Sequence, residues 1–575
     1  RTRFLRDQVV LEELKATPDG GVNYIKGFYE AFKKYLIIGL TEQDFADLYS
    51  QTVTYGLFAA RIRCVGEFHR ENAVKFIPKS IGFLHDVFNF LSTDDSRRPK
   101  QLECIIDDIA DVLASVNVNF ILNEYFHEGK GDDPIVHFYE TFLSEYDPTL
   151  RDLRGVYYTP EPIVSFIVKS LHSILKSYFD KPDGLADTDV KILDPAAGTL
   201  TFVAEAAKLA LKAYIGKYGE GVKKRFVRDH LLKNYYAFEL MMAPYAIGHL
   251  KMSYVLKEMG VDLVEQERFH LYLTNTLEND VIEQIDLPGM STLAQESRLA
   301  GEIKEKTPIL VIMGNPPYSG ISINKGDWIK KKIETYKYVD GIHFKEKKHW
   351  LQDDYVKFIR FAQWKIDQNG EGVIGFITNH SYLDNQTFRG MRQSLMESFN
   401  EIYVLDLHGN ITSKEKSPDG SKDEGVFDIR QGVAISLFIK TKSKKGCSIF
   451  HSEIWGTRDD KYEWLSKFDL SNVNWQKLSP TSPSYFFIPR AEKNREVYES
   501  FEKITDIFPT NVTGIVTARD RFVIDFNKDD LIRRLEMFRN QSFTDDYIRN
   551  AFNLKDTRGW ILDKARKKLE KVVNL

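Results

Sequence analysis

Apolar positions at the start of the chain recur with the period of an α-helix. Residues 24–40, 45–62 and 81–91 carry apolar side chains at every third or fourth position, with few glycines or prolines between them. That spacing places the apolar side chains on one face of each helix. The pattern therefore predicts an all-helical region over residues 1–150.

The pattern changes near residue 151. Thr159-Pro160-Glu161-Pro162 precedes an amphipathic run over residues 163–178, and Pro162 falls in the first turn, where a missing N–H leaves no helical hydrogen bond unmade. Beyond it, short apolar runs typical of strands alternate with helical segments. These runs span residues 190–193, 235–239, 270–273, 308–313, 372–378, 401–407 and 433–439. Such alternation favours an α/β fold with a largely parallel sheet between helices.

The alternation weakens beyond about residue 480. Residues 514–526 predict a hairpin, and residues 529–538 and 556–572 predict charged helices. We therefore expect three domains: a helical domain over 1–150, an α/β domain over 151–480, and a linker with the start of a further region over 481–575.

Composition narrows the class of protein. The 575 residues are 43% hydrophobic and 13% aromatic, enough for several packed cores, and this excludes a disordered or collagen-like chain. No apolar run approaches the roughly 18 residues of a membrane helix, so we expect no membrane partner. Cys64, Cys104 and Cys447 form no CxxC pair. That count argues against a disulfide framework or a structural zinc site and favours a reducing cytoplasm.

Charge leaves nucleic-acid enzymes open. The formal net charge of −4 argues against a histone-like general polyanion binder, but basic residues can still be confined to one cleft. Eight lysines and four acidic residues are interleaved with aromatic residues over 321–350. This stretch either follows a DNA backbone or forms a solvated surface loop. No GxxxxGK[ST] motif occurs, so we expect no P-loop ATPase here. The histidines, His380 and His408 among them, lack metal-ligand spacing, and we predict no metal site.

Carboxylates end two of the predicted strands. Asp194 begins the turn Asp-Pro-Ala-Ala-Gly-Thr directly after the run at 190–193. Small residues there let the backbone approach a ligand, and the start of the next helix offers free N–H groups. Glu239 ends the run at 235–239, a place where a carboxylate suits the hydroxyls of a ribose. Either residue alone is also compatible with an ordinary strand-to-helix turn.

Asn315-Pro316-Pro317-Tyr318 directly follows the apolar run at 308–313. The two prolines stiffen the backbone and donate no hydrogen bond, so their carbonyls accept from outside groups. Asparagine adds a side-chain acceptor and tyrosine a flat ring. These residues, the tetrad below, suit a planar ligand that carries an amino group.

Together, the Asp194 turn and the tetrad resemble the amino-group DNA methyltransferases that use S-adenosylmethionine, specifically the N6-adenine branch. Residues 154–160 (Arg-Gly-Val-Tyr-Tyr-Thr-Pro) resemble the upstream cofactor motif of that family, in the gamma order where the cofactor region precedes the catalytic one. Residues 133–160 are similar to type ISP restriction-modification enzymes. In those single polypeptides a nuclease and a helicase precede a helical coupler, the methyltransferase and a target-recognition domain.

The resemblance implies a Rossmann-like methyltransferase sheet preceded by the helical domain, with double-stranded DNA as partner and nuclease and helicase domains in the same longer polypeptide. The absence of a methionine at Arg1 fits such an excerpt. Implied cofactor contacts are Tyr158, Thr159, Pro160, Asp194, Ala196, Gly198, Glu239 and Asn275, the last standing where the family often has an aspartate. The implied catalytic residues are Asn315, Pro316, Pro317 and Tyr318, and Tyr318 and Phe427 would stack on a flipped base.

Two other functions remain open from the sequence. The same tetrad serves methyltransferases that act on a glutamine amide in proteins or on an amino group in RNA. Alternatively, the size of the helical region suits a coupling or assembly module in which the α/β part serves only DNA recognition. The target sequence cannot be read from these residues.

Overall fold

A nine-stranded sheet lies at the centre of the computed structural model of the chain. The structure describes the whole chain except residues 16–23, 65, 80, 94–98, 118–119, 121–141, 143–144, 147–158, 265–266, 280–290, 319–321, 323, 325, 345–348, 443–445, 491–493, 495–496, 499, 511–513, 515–516, 558–559 and 571–575. The described residues form two compact units, Arg1–Arg490 and Ala491–Leu575.

The strands of the first unit alternate with helices along the chain. They are β1 (Ile192–Asp194), β2 (Tyr235–Glu239), β3 (His270–Leu273), β4 (Val311–Gly314), β5 (Tyr338–Val339), β6 (Ile342–His343), β7 (Gly372–Asn379), β8 (Glu401–Asp406), β9 (Val433–Lys440), β10 (Ser448–Glu453) and β11 (Gln476–Leu478). The sheet order is β11-β10-β8-β9-β7-β4-β1-β2-β3, and β5 pairs separately with β6. Order reverses between β1 and β4, which is where open α/β sheets bind their ligands.

Strand direction follows from the connections. β3, β2, β1, β4 and β7 are mutually parallel, while β9 runs antiparallel to β7 and to β8. β10 is parallel to β8, and β11 is antiparallel to β10. Parallel neighbours require a crossover, and a helix lies between each consecutive pair from β1 to β4. The predicted Rossmann-like α/β fold is confirmed, and β10 and β11 extend its sheet beyond the predicted strands.

Helices surround the sheet of the first unit. The α-helices are Thr2–Phe4, Leu11–Lys15, Tyr24–Tyr35, Glu42–Arg63, Arg70–Ala73, Gly82–Ser92, Lys100–Ser115, Glu161–Tyr178, Thr201–Tyr218, Lys223–Phe226, Leu232–Asn234, Met242–Glu258, Ser291–Glu305, Asp327–Ile333, Asp354–Asn369, Arg389–Ser398 and Arg458–Lys467. Leu5–Val10 and Val227–Leu231 are π-helical. Single 3₁₀ turns occupy Val74–Phe76, Gly184–Ala186, Glu220–Val222, Glu334–Lys337, His349–Gln352, His380–Leu383, Gln386–Phe388 and Leu470–Asn472. Among the described helices, none has the length and apolarity needed to span a bilayer.

Residues 1–115, the front helical region, pack directly against the sheet domain. Glu42–Arg63 is its central helix: Thr41 caps it by accepting a hydrogen bond from Asp44 N–H, and residues 45–60 are all buried. Tyr55 and Ala59 of this helix lie in one cluster with side chains of Met242–Glu258. Most of the other buried apolar side chains of the region belong to the same cluster as the core of the sheet. The division at residue 150 stays a prediction.

The second unit is helical and has its own core. Its helices are Ile504–Ile507, Asp520–Val523, Lys528–Arg539, Asp545–Phe552 and Leu562–Glu570. Phe522, Phe538, Ile548, Leu554 and Leu562 form the core. The predicted hairpin at 514–526 is wrong over its described part, because Asp520–Val523 turns as a helix to place Phe522 in that core.

Candidate functional site

β1 and β4 are adjacent at the point where the strand order reverses, and their ends touch. A Cβ on Gly314 would lie 2.7 Å from Asp194 Oδ1, so only glycine allows this approach. Asp194 is 1% exposed, and its Oδ1 accepts from Ala196 N–H at 3.1 Å. Oδ2 has no hydrogen-bond partner among the described residues. Burial raises the pKa of Asp194 to about 8, with a smaller contribution from the charge of Glu239.

The turn after β1 is fastened to β2. Ala197 N–H donates to the Phe238 carbonyl at 3.0 Å, and Gly198 N–H donates to Glu239 Oε2 at 2.8 Å. Gly198 has φ +51° and Leu200 φ +66°, so the backbone passes through the left-handed region before the helix Thr201–Tyr218 begins. The predicted cofactor turn and the predicted ribose acceptor are thus brought together.

Glu239 is a buried carboxyl with remaining acceptor capacity. Its Oε1 accepts from Met241 N–H at 2.7 Å, which leaves one further lone pair on each oxygen. Burial raises the pKa of Glu239 to about 7, although backbone donors act in the opposite direction. A ligand that donates hydroxyl hydrogens would find two acceptors here.

The loop after β3 is held by a lysine that the sequence analysis did not single out. Lys304 is 4% exposed, and its Nζ donates to the Asn275 carbonyl at 2.6 Å, to the Glu278 carbonyl at 2.9 Å and to Thr274 Oγ1 at 3.3 Å. Burial lowers its pKa to about 7. Thr276 Oγ1 donates to the Pro195 carbonyl at 2.5 Å, so the loop borders the Asp194 turn. No feature of the sequence distinguishes Lys304 from solvent-exposed lysines.

The tetrad follows β4 directly, and Thr159 orients its asparagine. Asn315 Nδ2 donates to Thr159 Oγ1 at 3.0 Å, whereas Asn315 Oδ1 is buried without a hydrogen-bond partner among the described residues. Pro160 precedes the helix Glu161–Tyr178, which fixes Thr159 at its start. Tyr318 is 5% exposed. Tyr158 and most of the motif at 154–160 lie outside the described residues.

Phe427 lies in the loop between β8 and β9, at the same edge of the sheet. It is 5% exposed, in a loop held by the fully buried pair of Lys461 and Asp423, whose Nζ and Oδ1 are 2.7 Å apart. Lys461 Nζ also donates to the Leu407 carbonyl at 2.8 Å. Whether Phe427 stacks on a base stays a prediction.

Two histidines for which the sequence predicts no metal site, His380 and His408, meet at this edge. His380 Nδ1 lies 3.1 Å from Asp406 Oδ1, and His408 Nδ1 lies 3.3 Å from Glu415 Oε1. The potential ligand atoms of His380, Asp406 and His408 lie within 4.8 Å of one another, close enough for a metal ion. His380 Nε2 lies 3.4 Å from Asn410 Nδ2, a contact within the protein. The expected absence of metal stays a prediction.

The described part of the lysine-rich stretch folds on itself. Lys330 pairs with Asp327 at 3.3 Å, Lys337 pairs with Glu334 at 2.5 Å, and Lys332 Nζ lies 5.1 Å from the Trp364 ring centroid. Lys325, Lys345, Lys347 and Lys348 fall outside the described residues. The choice between a DNA-tracking stretch and a surface loop therefore stays open.

Comparisons with known proteins agree with this geometry. Residues 130–410 match the N-6 DNA Methylase family, and residues 506–574 match the Type ISP C-terminal specificity domain. The Type II methyltransferase M.BanIII of Aneurinibacillus aneurinilyticus is 25% identical over 128 residues, which are 22% of this chain and 19% of that protein.

Solved structures share the fold over almost the whole chain. A nuclease-deletion mutant of the Type ISP restriction-modification enzyme LlaGI, in complex with a DNA substrate mimic, matches with a TM-score of 0.71 and 22% identity over 99% of this chain and 46% of that one. The ATP-dependent Type ISP enzyme LlaBIII bound to DNA matches with a TM-score of 0.71 and 23% identity over 100% of this chain and 37% of that one. The chain thus spans less than half the length of either enzyme.

Proposed function

We propose that the chain transfers a methyl group from S-adenosylmethionine to N6 of adenine in double-stranded DNA. The matches of residues 130–410 to the N-6 DNA Methylase family and of residues 506–574 to the Type ISP C-terminal specificity domain support this function. The observation that carries the proposal is the tetrad, which directly follows β4 at the strand end that touches Asp194, with an Asn315 Oδ1 that is buried and has no hydrogen-bond partner among the described residues.

The residues present fit the cofactor. Asp194 Oδ2 is a buried acceptor without a partner among the described residues, and Glu239 has spare lone pairs suited to ribose hydroxyls. Ala196 and Gly198 would shape the turn that borders it, and Tyr158, Thr159 and Pro160 would hold its methionine end. When bound, S-adenosylmethionine supplies a methyl group activated by a sulfonium. Asn275 would border the adenine of the cofactor through its backbone, since its side-chain amide is already engaged within the protein.

The tetrad would act on the amino group of the target. Asn315 Oδ1 and the Pro316 carbonyl would each accept one hydrogen of the NH₂ group, which draws the nitrogen towards tetrahedral geometry and frees its lone pair. Thr159 Oγ1 accepts from Asn315 Nδ2, and in this orientation Oδ1 is the atom that would serve the target. Pro317 keeps the backbone rigid. Positioning and electrostatics would supply most of the acceleration, and no strong base is required.

The target adenine must leave the duplex to reach this site. Flipping a base costs a few kcal/mol, and stacking of Tyr318 and Phe427 on its two faces would offset part of that cost. We further infer that residues 151–480 form the methyltransferase, that residues 1–150 couple it to nuclease and helicase domains of one longer cytoplasmic polypeptide, and that residues 481–575 begin the target-recognition region.

Methylation assays on the 575-residue chain test the proposal. Asn315→Ala should lower the rate of methyl transfer to DNA by about 100-fold or more, the usual effect of removing one preorganised polar group. Asn315→Asp keeps an acceptor and should retain more activity than Asn315→Ala. Asn234→Ala is the matched control, since Asn234 is also buried and donates to the Thr188 carbonyl at 2.8 Å, but at the opposite end of β2.

The choice of substrate belongs to the same assay. Labelled methyl groups should appear at N6 of adenine in DNA and not in RNA or on glutamine of an added protein. Sequencing the modified adenines would identify the target sequence. Near wild-type transfer by Asn315→Ala, or methylation of protein or RNA alone, would contradict the proposal.

A further inference from the structure

Asn275, in the loop after β3, uses every polar atom of its side chain within the protein. Its Oδ1 accepts from Leu277 N–H at 3.0 Å, and its Nδ2 donates to the Leu36 carbonyl at 2.9 Å and to Asn324 Oδ1 at 3.1 Å. An N–H can only donate and a backbone carbonyl can only accept, so the amide has a single consistent orientation. An ionised aspartate at this position would face two acceptors with no hydrogen to donate.

The bond from Asn275 Nδ2 to Asn324 Oδ1 leads to the segment that follows the tetrad. Asn324 Nδ2 donates to Asp354 Oδ1 at 3.1 Å, and Lys357 Nζ donates to the Asn324 carbonyl at 2.5 Å. Ser322 Oγ donates to the same Asp354 oxygen at 2.5 Å. Asn324, Asp354 and Lys357 are at most 7% exposed, so this network is shielded from water. It fastens the segment after the tetrad to the helix Asp354–Asn369.

The bond from Asn275 Nδ2 to the Leu36 carbonyl leads out of the sheet domain. Leu36 directly follows the helix Tyr24–Tyr35 of the front helical region and is 1% exposed. Its carbonyl lies 239 positions from Asn275 along the chain. The neighbouring Thr276 bonds the Pro195 carbonyl in the Asp194 turn. One loop therefore touches the front helical region, the turn after β1 and the segment after the tetrad.

We propose that Asn275 is a positioning residue that couples the front helical region to both halves of the site, so that a ligand held between Asp194 and Asn315 also restricts the backbone at Leu36. The identity of that ligand rests on the proposed function, whereas the coupling itself rests on the hydrogen bonds. Asparagine is required because the coupling needs one acceptor and two donated hydrogens from a single side chain.

Hydrogen exchange on the ligand-free 575-residue chain tests the coupling independently of any methyltransferase activity. In Asn275→Ala, the peptides containing residues 36–40 and Asn324 should both exchange about tenfold faster, since a buried hydrogen bond of about 1.4 kcal/mol is lost on each side. Asn234→Ala removes a similarly buried amide–carbonyl bond and should affect only its own surroundings near Thr188. Unchanged exchange either in the peptide of residues 36–40 or in the peptide that contains Asn324 would overturn the proposal.

Two further variants keep the test decisive. Asn275→Asp should match Asn275→Ala, because a carboxylate cannot donate to Leu36 or Asn324. Asn324→Ala removes the middle of the network and should speed exchange at residues 36–40 through Asn275, even where Asn275→Ala folds poorly. Rescue of slow exchange by Asn275→Asp would contradict the requirement for a donor.

S-adenosylmethionine then links the coupling to function. In the unsubstituted chain it should slow exchange both at the Asp194 turn and at residues 36–40. In Asn275→Ala, protection of the turn should persist while protection of residues 36–40 is lost, and KM for S-adenosylmethionine should rise more than kcat falls. Absence of S-adenosylmethionine binding to the unsubstituted chain would contradict the proposed function, and the ligand-free exchange would still decide the coupling.

Discussion

Two pairs of carboxyl groups lie at the same edge of the sheet, and their surroundings act on them in opposite directions. Burial raises the pKa of Asp194 to about 8 and that of Glu239 to about 7, with no cation beside them among the described contacts. Asp406 and Glu415 are buried wholly or partly too, yet the bonds and charges of His380 and His408 outweigh burial and lower both pKa values.

The difference distinguishes two kinds of site. Asp194 and Glu239 retain hydrogen-bond acceptors for a ligand, whereas Asp406 and Glu415 have their partners within the protein. The first pair retains acceptor capacity at the reversal of strand order, where the described residues leave Asp194 Oδ2 without a donor and a ligand can supply one. The second pair is satisfied within the protein and supports the loop that carries Phe427. Substitutions at the first pair should therefore change binding with little loss of stability, and substitutions around the second should change stability.

The largest expected effect is on stability, at the buried pair that holds the loop carrying Phe427. Lys461→Met leaves the fully buried side chain of Asp423 without its cation and should lower the free energy of unfolding by about 3–5 kcal/mol. Urea denaturation of the variant and of the unsubstituted chain measures this free energy of unfolding. The control is Lys422→Met, which breaks the neighbouring but exposed pair with Glu424 and should change stability little. Equal effects of the two substitutions would show that the buried pair does not hold the loop.

Asp194→Asn, in the first pair, should have the opposite effect: it should weaken ligand binding without lowering stability. Affinity for S-adenosylmethionine should fall by about 10- to 100-fold, the worth of a hydrogen bond to a charged group. Stability should not fall. A carboxyl with a raised folded pKa loses stabilisation as pH rises through that value, so the variant should gain relative stability above about pH 8. Calorimetric titration and thermal unfolding at two pH values measure both, and a marked loss of stability at pH 9 would contradict the comparison.

Candidate site residues could be predicted from the sequence because strand ends leave a local signal. β2 and β3 have the bounds that the sequence predicts, since each is a short apolar run between polar segments. Asp194 ends β1, Glu239 ends β2 and the tetrad directly follows β4, so each is found at the end of an apolar run. β10 and β11 were missed because their exposed and partly buried positions break the apolar pattern. Buried Lys304 and Lys357, and the bond from Asn275 to Leu36, depend on contacts between distant segments that no local pattern records.

A third prediction concerns pH and the same two carboxyls. Ionised Asp194 and Glu239 accept hydrogen bonds better than protonated ones, so affinity for S-adenosylmethionine should rise by about tenfold between pH 6 and pH 8.5, with uptake of the ligand releasing protons. Calorimetry in buffers of different ionisation enthalpy counts those protons. Glu239→Gln should flatten the lower part of the profile. A pH-independent affinity in the unsubstituted chain would mean that the carboxyls do not face the ligand.

The smallest expected effect belongs to the histidine network. Asp406→Asn removes the anion beside His380 and should lower stability by about 1 kcal/mol. The lowered pKa of Asp406 gives stability that is lost as pH falls through it, and the raised pKa of His380 gives stability that is lost as pH rises through it. The difference from the unsubstituted chain should therefore be greatest between about pH 4 and pH 6.5 and should narrow in alkaline solution. Asp194→Asn should show the reverse pH dependence, so measuring the unfolding of both variants at pH 5.5 and pH 9 distinguishes the two kinds of carboxyl. An equal loss of stability for Asp406→Asn at both pH values would show that charge does not stabilise the histidine network.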